Sequence, residues 1–272
     1  MLRPRIVPCL LVKNRGLVKT VNFGSPKYVG DPINAVRIFN EKEVDELTVL
    51  DIDATAQGCE PNYTLIRNLA AECRMPLCYG GGVSHVDQVR QIVSLGVEKV
   101  AFSSAAVVNP ELISAAAAQV GSQSIVVVMD VRKDPSGGSE VFTHNGTRST
   151  GLDPAHFARI AEERGAGEIV VNSIDRDGTM KGYDLDLVTR VRAATTLPMT
   201  ALGGAGSLRD IGDLIQRFGV IGAAAGSLFV FKGALRAVLI NYPSRDVKDE
   251  LVRLGRTSGG LAGIVAEKLT TS

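Results

Sequence analysis

Asp130 stands near the end of the apolar run 125–131 (IVVVMDV), and a carboxylate at the tip of a buried strand is placed to act as a general acid or base. The same residue would also serve as an N-cap or as a salt-bridge partner of Arg132 or Lys133. The matching run near the N-terminus, 6–12 (IVPCLLV), carries Leu11 at its tip, and leucine transfers no proton. Further carboxylates follow other strand-like runs: Asp175 and Asp177 in SIDRDGT, Asp51 and Asp53 in LDIDA. Lys19, in the long loop expected after the first run, is either a mobile cation over the site or an ordinary solvated lysine.

Glycine turns supply a second kind of chemistry. Residues 80–82 (GGG) lead into a helical pattern, where backbone N–H groups and a helix N-terminus receive an anion. Ser103 and Ser104 add hydroxyl and amide donors after the next strand. The second half repeats the set with Gly203, Gly204, Gly226 and Ser227, joined by Gly178. One such turn alone reads as tight strand–helix packing; two symmetric sets favour two phosphate sites. The three histidines, His85, His144 and His156, lack metal-ligand spacing and read as surface residues. No Ser-x-Gly elbow and no Walker lysine is present, and neither a metal nor a cofactor is expected.

The elements that must position these residues follow from periodicity. Strands are predicted at 6–12, 47–52, 77–79, 99–103, 124–131, 168–173, 199–202 and 222–225, with amphipathic helices between them. Val- and Ile-rich strands alternating with helices indicate a parallel sheet buried on both faces, and eight such units suit a (β/α)8 barrel. The doubly wound alternative lacks its GxGxxG turn after the first strand. An internal repeat supports a barrel of two homologous halves: an offset of 122 separates Pro76 from Pro198, Glu46 from Glu168, Asp53 from Asp175, and Gly81–Gly82 from Gly203–Gly204. The barrel is expected over 1–243. A peripheral extension over 244–272 is expected to hold one helix and a Gly-Gly break.

Composition narrows the partners. The 272 residues carry 30 basic and 29 acidic side chains, so the chain has no electrostatic footprint for nucleic acid or a membrane surface. No apolar run reaches the roughly 18 residues of a membrane span. The opening MLRPRIVPCLLV resembles a signal peptide but is followed by no small-residue cleavage site, and reads as a first strand. Cys9, Cys59, Cys73 and Cys78 form no CxxC pair, consistent with free thiols and a cytoplasmic location.

The runs RIVPCLLVKNRGLVKTVNF, GDPINAVRIFNEKEVDELTVLDIDA, YGGGV, NPELI, GSQSIVVVMDV, GAGEIVVNSIDRDGTMKGYD and LGGAG together resemble HisF, the cyclase subunit of imidazole glycerol phosphate synthase, over roughly residues 1–240. The resemblance implies a twofold-repeat barrel fed with ammonia by a glutaminase subunit docked at its N-terminal face. The ammonia would pass through the barrel to a substrate held by two phosphates. It implies phosphate contacts at Gly82 and Ser104 on one side, and at Gly178, Gly204, Gly226 and Ser227 on the other. Lys19 matches the flexible-loop lysine, and Asp130 matches the second catalytic aspartate. Arg5, Glu46, Lys99 and Glu168 match the ring of charges at the ammonia entrance.

The first catalytic aspartate falls on Leu11. With PCLLV, the pattern resembles a HisF-like branch tied to surface polysaccharides. That branch implies a third protein, an N-acetyl sugar amidotransferase, which turns an acetamido group into an acetamidino group. Two alternatives stand beside it. One is a true cyclase of histidine biosynthesis in which Asp53, Asp177 or a water replaces the lost acid; the other is a scaffold that only activates the glutaminase.

Overall fold

The computed structural model describes residues 3–134, 137–233 and 235–256. Eight parallel strands form the barrel: β1 (Arg5–Lys13), β2 (Leu47–Asp51), β3 (Leu77–Gly80), β4 (Lys99–Phe102), β5 (Ile125–Lys133), β6 (Glu168–Ser173), β7 (Met199–Leu202) and β8 (Gly222–Ala225). Each pairs with the next, and β8 pairs back onto β1, so the sheet closes into the (β/α)8 barrel that the alternation predicts. Strands covered on both faces need apolar residues at nearly every position, and all six residues of β6 and all four of β7 are buried.

The longer helices are α1 (Pro32–Glu41), α2 (Tyr63–Glu72), α3 (Val86–Ser94), α4 (Glu111–Val120), α5 (Pro154–Glu163), α6 (Leu185–Arg192), α7 (Leu208–Phe218) and α8 (Arg245–Arg256). Their starts are written locally. Asp31, Asn62, Asp153 and Asp184 each accept a backbone N–H of the first turn. Such a cap stabilises a helix by about 1 kcal/mol. Proline follows the cap in α1 and α5, where its missing N–H has no helical partner to lose.

Two apolar layers result. Phe39, Leu69, Phe157 and Ile215 belong to the layer between sheet and helices. Inside the barrel a separate cluster holds Val7, Cys9, Cys78, Ala101, Val126, Val128, Val170, Leu202 and Ala224, with Leu11 and Leu50 packed against it.

Several elements differ from expectation. The long loop after β1 is a hairpin of Gly16–Val21 and Gly24–Gly30 that stays hydrogen-bonded to β1. β5 runs on to Lys133 and pairs with Ser139–Thr143, which pairs with Arg148–Ser149. The tail past residue 243 begins, as expected, with a helix, α8, which packs on α7 and buries Leu251. Lys248 on α8 bonds Asp45 at 2.7 Å, beside the start of β2. The Gly-Gly at 259–260 lies outside the described residues. Among the described residues no helix is long and apolar enough to cross a membrane.

Candidate functional site

Side chains alternate across a strand, so every second residue of a barrel strand points inward. On β6 the inward file is Glu168, Val170, Asn172; on β5 it is Val126, Val128, Asp130. These files join a charged ring below to a pocket above, at the C-terminal ends of the strands, where (β/α)8 barrels carry their chemistry.

The lower ring closes on itself. Arg5 bridges Glu46 and, at 2.6 Å, Glu168; Lys99 reaches Glu46 at 2.9 Å and Glu168 at 2.8 Å. Thr200 Oγ donates to Glu168 at 2.6 Å. Burial alone would raise the Glu168 carboxyl, but Arg5 and Lys99 outweigh it and hold the group at about 2. Four charges near an apolar core are tolerated because each touches two of opposite sign.

The pocket brings together Leu11, Lys19, Gly82, Ser104, Asp130, Asp177, Gly178, Gly204, Gly226 and Ser227. Asp130 makes neither of its simpler contacts. Arg132 stacks over Phe142, and Lys133 pairs with Asp184. Instead Asp130 accepts hydrogen bonds from Asn172 Nδ2 at 2.9 Å and Ser103 Oγ at 3.3 Å. Burial pushes its carboxyl up to about 6, against the pull of both donors. A carboxyl so poised exchanges a proton near neutral pH. Leu11 lies beside Leu50, its register partner, and the two form an apolar stretch of the pocket wall.

Two expectations need correction. Lys19 is not solvated: it is buried in the hairpin strand, with Nζ donating to the Cys9 carbonyl at 2.7 Å. Burial lowers its pKa, and Cys9 and Asp177 oppose the shift only in part. Asp53 is not on the pocket wall; it pairs with Lys13 at 3.0 Å. β2 ends at Asp51, so the chain has turned into the short helix Ala54–Gln57 by the time Asp53 is reached. Asp51 takes the wall position instead, accepting the N–H groups of Asp53 and Ala54, and burial raises its pKa. Asp177 is also on the wall, bonded by Thr20 Oγ at 2.7 Å and raised by burial.

The glycine turns adopt backbone that glycine favours. Gly81, Gly82, Gly203 and Gly204 have φ of +118°, +73°, +92° and +105°, a region that L side chains disfavour. A Cβ on Gly204 would collide with the Gly182 carbonyl, and one on Gly226 with Lys19 Nζ. Among the described residues the only Lys or Arg on the wall therefore sits against the second-half turn at Gly226. On the first-half side Gly82 N donates to Thr55 Oγ at 3.3 Å, and Ser104 Oγ accepts the N–H of His144 at 3.0 Å. His144 is thus half-buried beside the pocket, not a surface histidine; His85 and His156 are exposed. Among the described residues no group of three His, Cys, Asp or Glu is arranged to hold a metal ion.

Asn172, which holds Asp130, carried no assigned role in the sequence, and Ser103, read there as a donor beside the glycine turn, donates to Asp130 instead. The signal for Asn172 was a lone amide in the apolar stretch EIVVN.

The family model described as histidine biosynthesis protein matches residues 5–236. A protein of Leptospira interrogans provisionally named imidazole glycerol phosphate synthase subunit HisF is 56% identical over 252 residues, covering 92% of this chain and 99% of its own. One from Pseudomonas aeruginosa, provisionally named as such a subunit, hisF2, is 56% identical over 243 residues, covering 89% of this chain and 97% of its own. The imidazole glycerol phosphate synthase subunit HisF of Hyphomonas neptunium is 44% identical over 232 residues, covering 85% of this chain and 91% of its own.

Proposed function

The chain belongs to the histidine biosynthesis protein family as a homologue of HisF-type imidazole glycerol phosphate synthase subunits, and we propose that it accepts ammonia from a glutaminase partner and serves the amidination of an N-acetyl sugar rather than ring closure. One juxtaposition carries this reading: an intact ring of Arg5, Glu46, Lys99 and Glu168 lies below a pocket in which Leu11 stands where the family resemblance puts the first catalytic aspartate. The ring and the small inner residues Cys9, Cys78, Ala101 and Ala224 suit passage of a small neutral molecule. The glycine turns and Lys19 suit a phosphorylated ligand at the other end. Leucine removes one of the two acid–base groups of ring closure, and such a group contributes about 10²–10⁴-fold to rate. Ammonia would then pass on to a sugar activated on an N-acetyl sugar amidotransferase.

The test supplies purified protein with ammonium chloride and the cyclase substrate. Turnover at the level of a cyclase subunit such as that of Hyphomonas neptunium overturns the diverted reading; no turnover, with amidinated sugar formed when the glutaminase and the sugar amidotransferase are added, supports it.

One observation favours a second reading. Asp177 and Asp51 lie on the pocket wall with raised pKa values, so either can stand in for the lost acid of a true cyclase. Growth of a histidine auxotroph lacking its cyclase subunit would establish that reading.

A further inference from the structure

Asn172 holds an unmet hydrogen-bond capacity at the junction of the inner column and the pocket. Its Nδ2 donates to Asp130, yet its buried Oδ1 has no partner among the described residues. Buried side-chain acceptors are paired in the large majority of cases, and an unpaired one has a cost that a ligand removes. The other buried side-chain atoms without a partner among the described residues, Asp53 Oδ2 and Tyr79 Oη, do not belong to the pocket wall; Asn172 does. The space beside the oxygen is kept open by Gly203, where a Cβ would come within 3.1 Å of it.

Position suggests what can pair with this oxygen. Asn172 lies two inward places above the ring acid Glu168, with Val170 between them, and it is the register partner of Asp130. A small N–H donor rising through the barrel meets this amide where the apolar cluster gives way to polar wall. The room is too limited for a large group, because Asn172 is only 5% exposed.

We propose that Asn172 docks ammonia at the top of the inner column, its Oδ1 accepting one N–H and leaving the nitrogen lone pair directed at the pocket. The inference rests on the proposed passage of ammonia through the barrel. Asp130 beside it is placed to accept a second N–H. Asn172 thereby acts as a binding residue for the nucleophile as well as a support for Asp130.

The experiment uses the full complex of this chain, the glutaminase and the N-acetyl sugar amidotransferase, fed with ammonium chloride in place of glutamine. Asn172→Val and Asn172→Thr are compared; the two replacements have nearly the same shape, but only threonine keeps an acceptor oxygen. Loss of one hydrogen bond raises the KM for ammonium by about tenfold in the valine variant, with kcat changed less and threonine restoring most of the loss. An unchanged KM for ammonium in the valine variant, with only a shifted pH profile, shows that Asn172 merely holds Asp130 and overturns the inference. A wild-type complex that makes no ammonium-dependent product overturns the sugar amidination on which the inference rests, and the inference as stated with it. That failure is seen before any variant is made.

Discussion

Glu46 and Glu168 stand 122 positions apart, yet the same two cations, Arg5 and Lys99, bridge both. Each half of the duplicated chain thus gives one acid to a single ring. The cations break the twofold symmetry, since both precede residue 100. No member can be removed without stranding charges on its neighbours, so the ring is cooperative in stability as well as in shape.

Glu46→Ala and Lys99→Ala are therefore expected to uncouple glutamine hydrolysis from product formation in the glutaminase complex. Each leaves a partly buried charge without its partner, at a stability cost of about 2–4 kcal/mol. The measurement is the ratio of glutamate released to product formed, alongside the urea midpoint. An unchanged ratio in both variants makes the ring purely structural.

Acid should weaken the ring over a defined window. The folded-state pKa of Glu168 lies at about 2, below its ordinary 4.5. Its contribution is present above pH 4.5 and is lost as pH falls toward 2, and a shift of that size corresponds to about 3 kcal/mol. Urea unfolding from pH 6 to pH 2 should show this loss in the wild type. Glu168→Gln should show a flatter profile, starting from lower stability.

Asp130 has the opposite sign. Its pKa is raised from 3.8 to about 6, so the folded state binds the proton more tightly than the unfolded one. Stability from this group is full below pH 3.8 and is lost as pH rises through about 6. Asp130→Asn should stabilise the protein at pH 7.5 by about 2 kcal/mol, allowing for water in the pocket. It should abolish product while leaving stimulation of the glutaminase intact. Retained product would mean that Asp130 transfers no essential proton and that the barrel serves as a relay or an activator alone.

Two glycines separate packing from binding. Gly204→Ala faces a positive φ and the Gly182 carbonyl, and should cost about 2 kcal/mol or more in thermal unfolding. Gly226→Ala meets chiefly the flexible end of Lys19. It should leave stability within about 1 kcal/mol yet weaken binding of a phosphorylated ligand, because the lysine is displaced. Equal stability losses in both variants would refute the contrast.

The strands were legible in the sequence because burial on both faces leaves little freedom in residue type, and the offset of 122 exposed the duplicated turns at Gly81–Gly82 and Gly203–Gly204. The hairpin that buries Lys19 was not. Its turn is Asn22-Phe23, both at positive φ, where the usual signal is Asn-Gly. Asp51 and Asp53 could not be told apart from LDIDA, since which carboxylate stays on the wall depends on where β2 stops. The role of Asn172 depends on a partner, Asp130, that lies 42 residues away.

Leu11→Asp is the most direct test of the proposed diversion from ring closure. Leu11 is half-buried beside Leu50, so a carboxylate there costs about 1–2 kcal/mol in stability. The glycine turns, Lys19 and Asp130 stay in place, and the new acid joins Asp130 on the same pocket wall. With ammonium chloride and the cyclase substrate, ring-closing turnover should rise by about 10²-fold or more. A folded variant with no gain would mean that more than one residue separates this pocket from cyclisation. Turnover already high in the wild type would assign the missing proton transfer to Asp177 or Asp51, and Asp177→Asn and Asp51→Asn would then identify which carboxylate performs it.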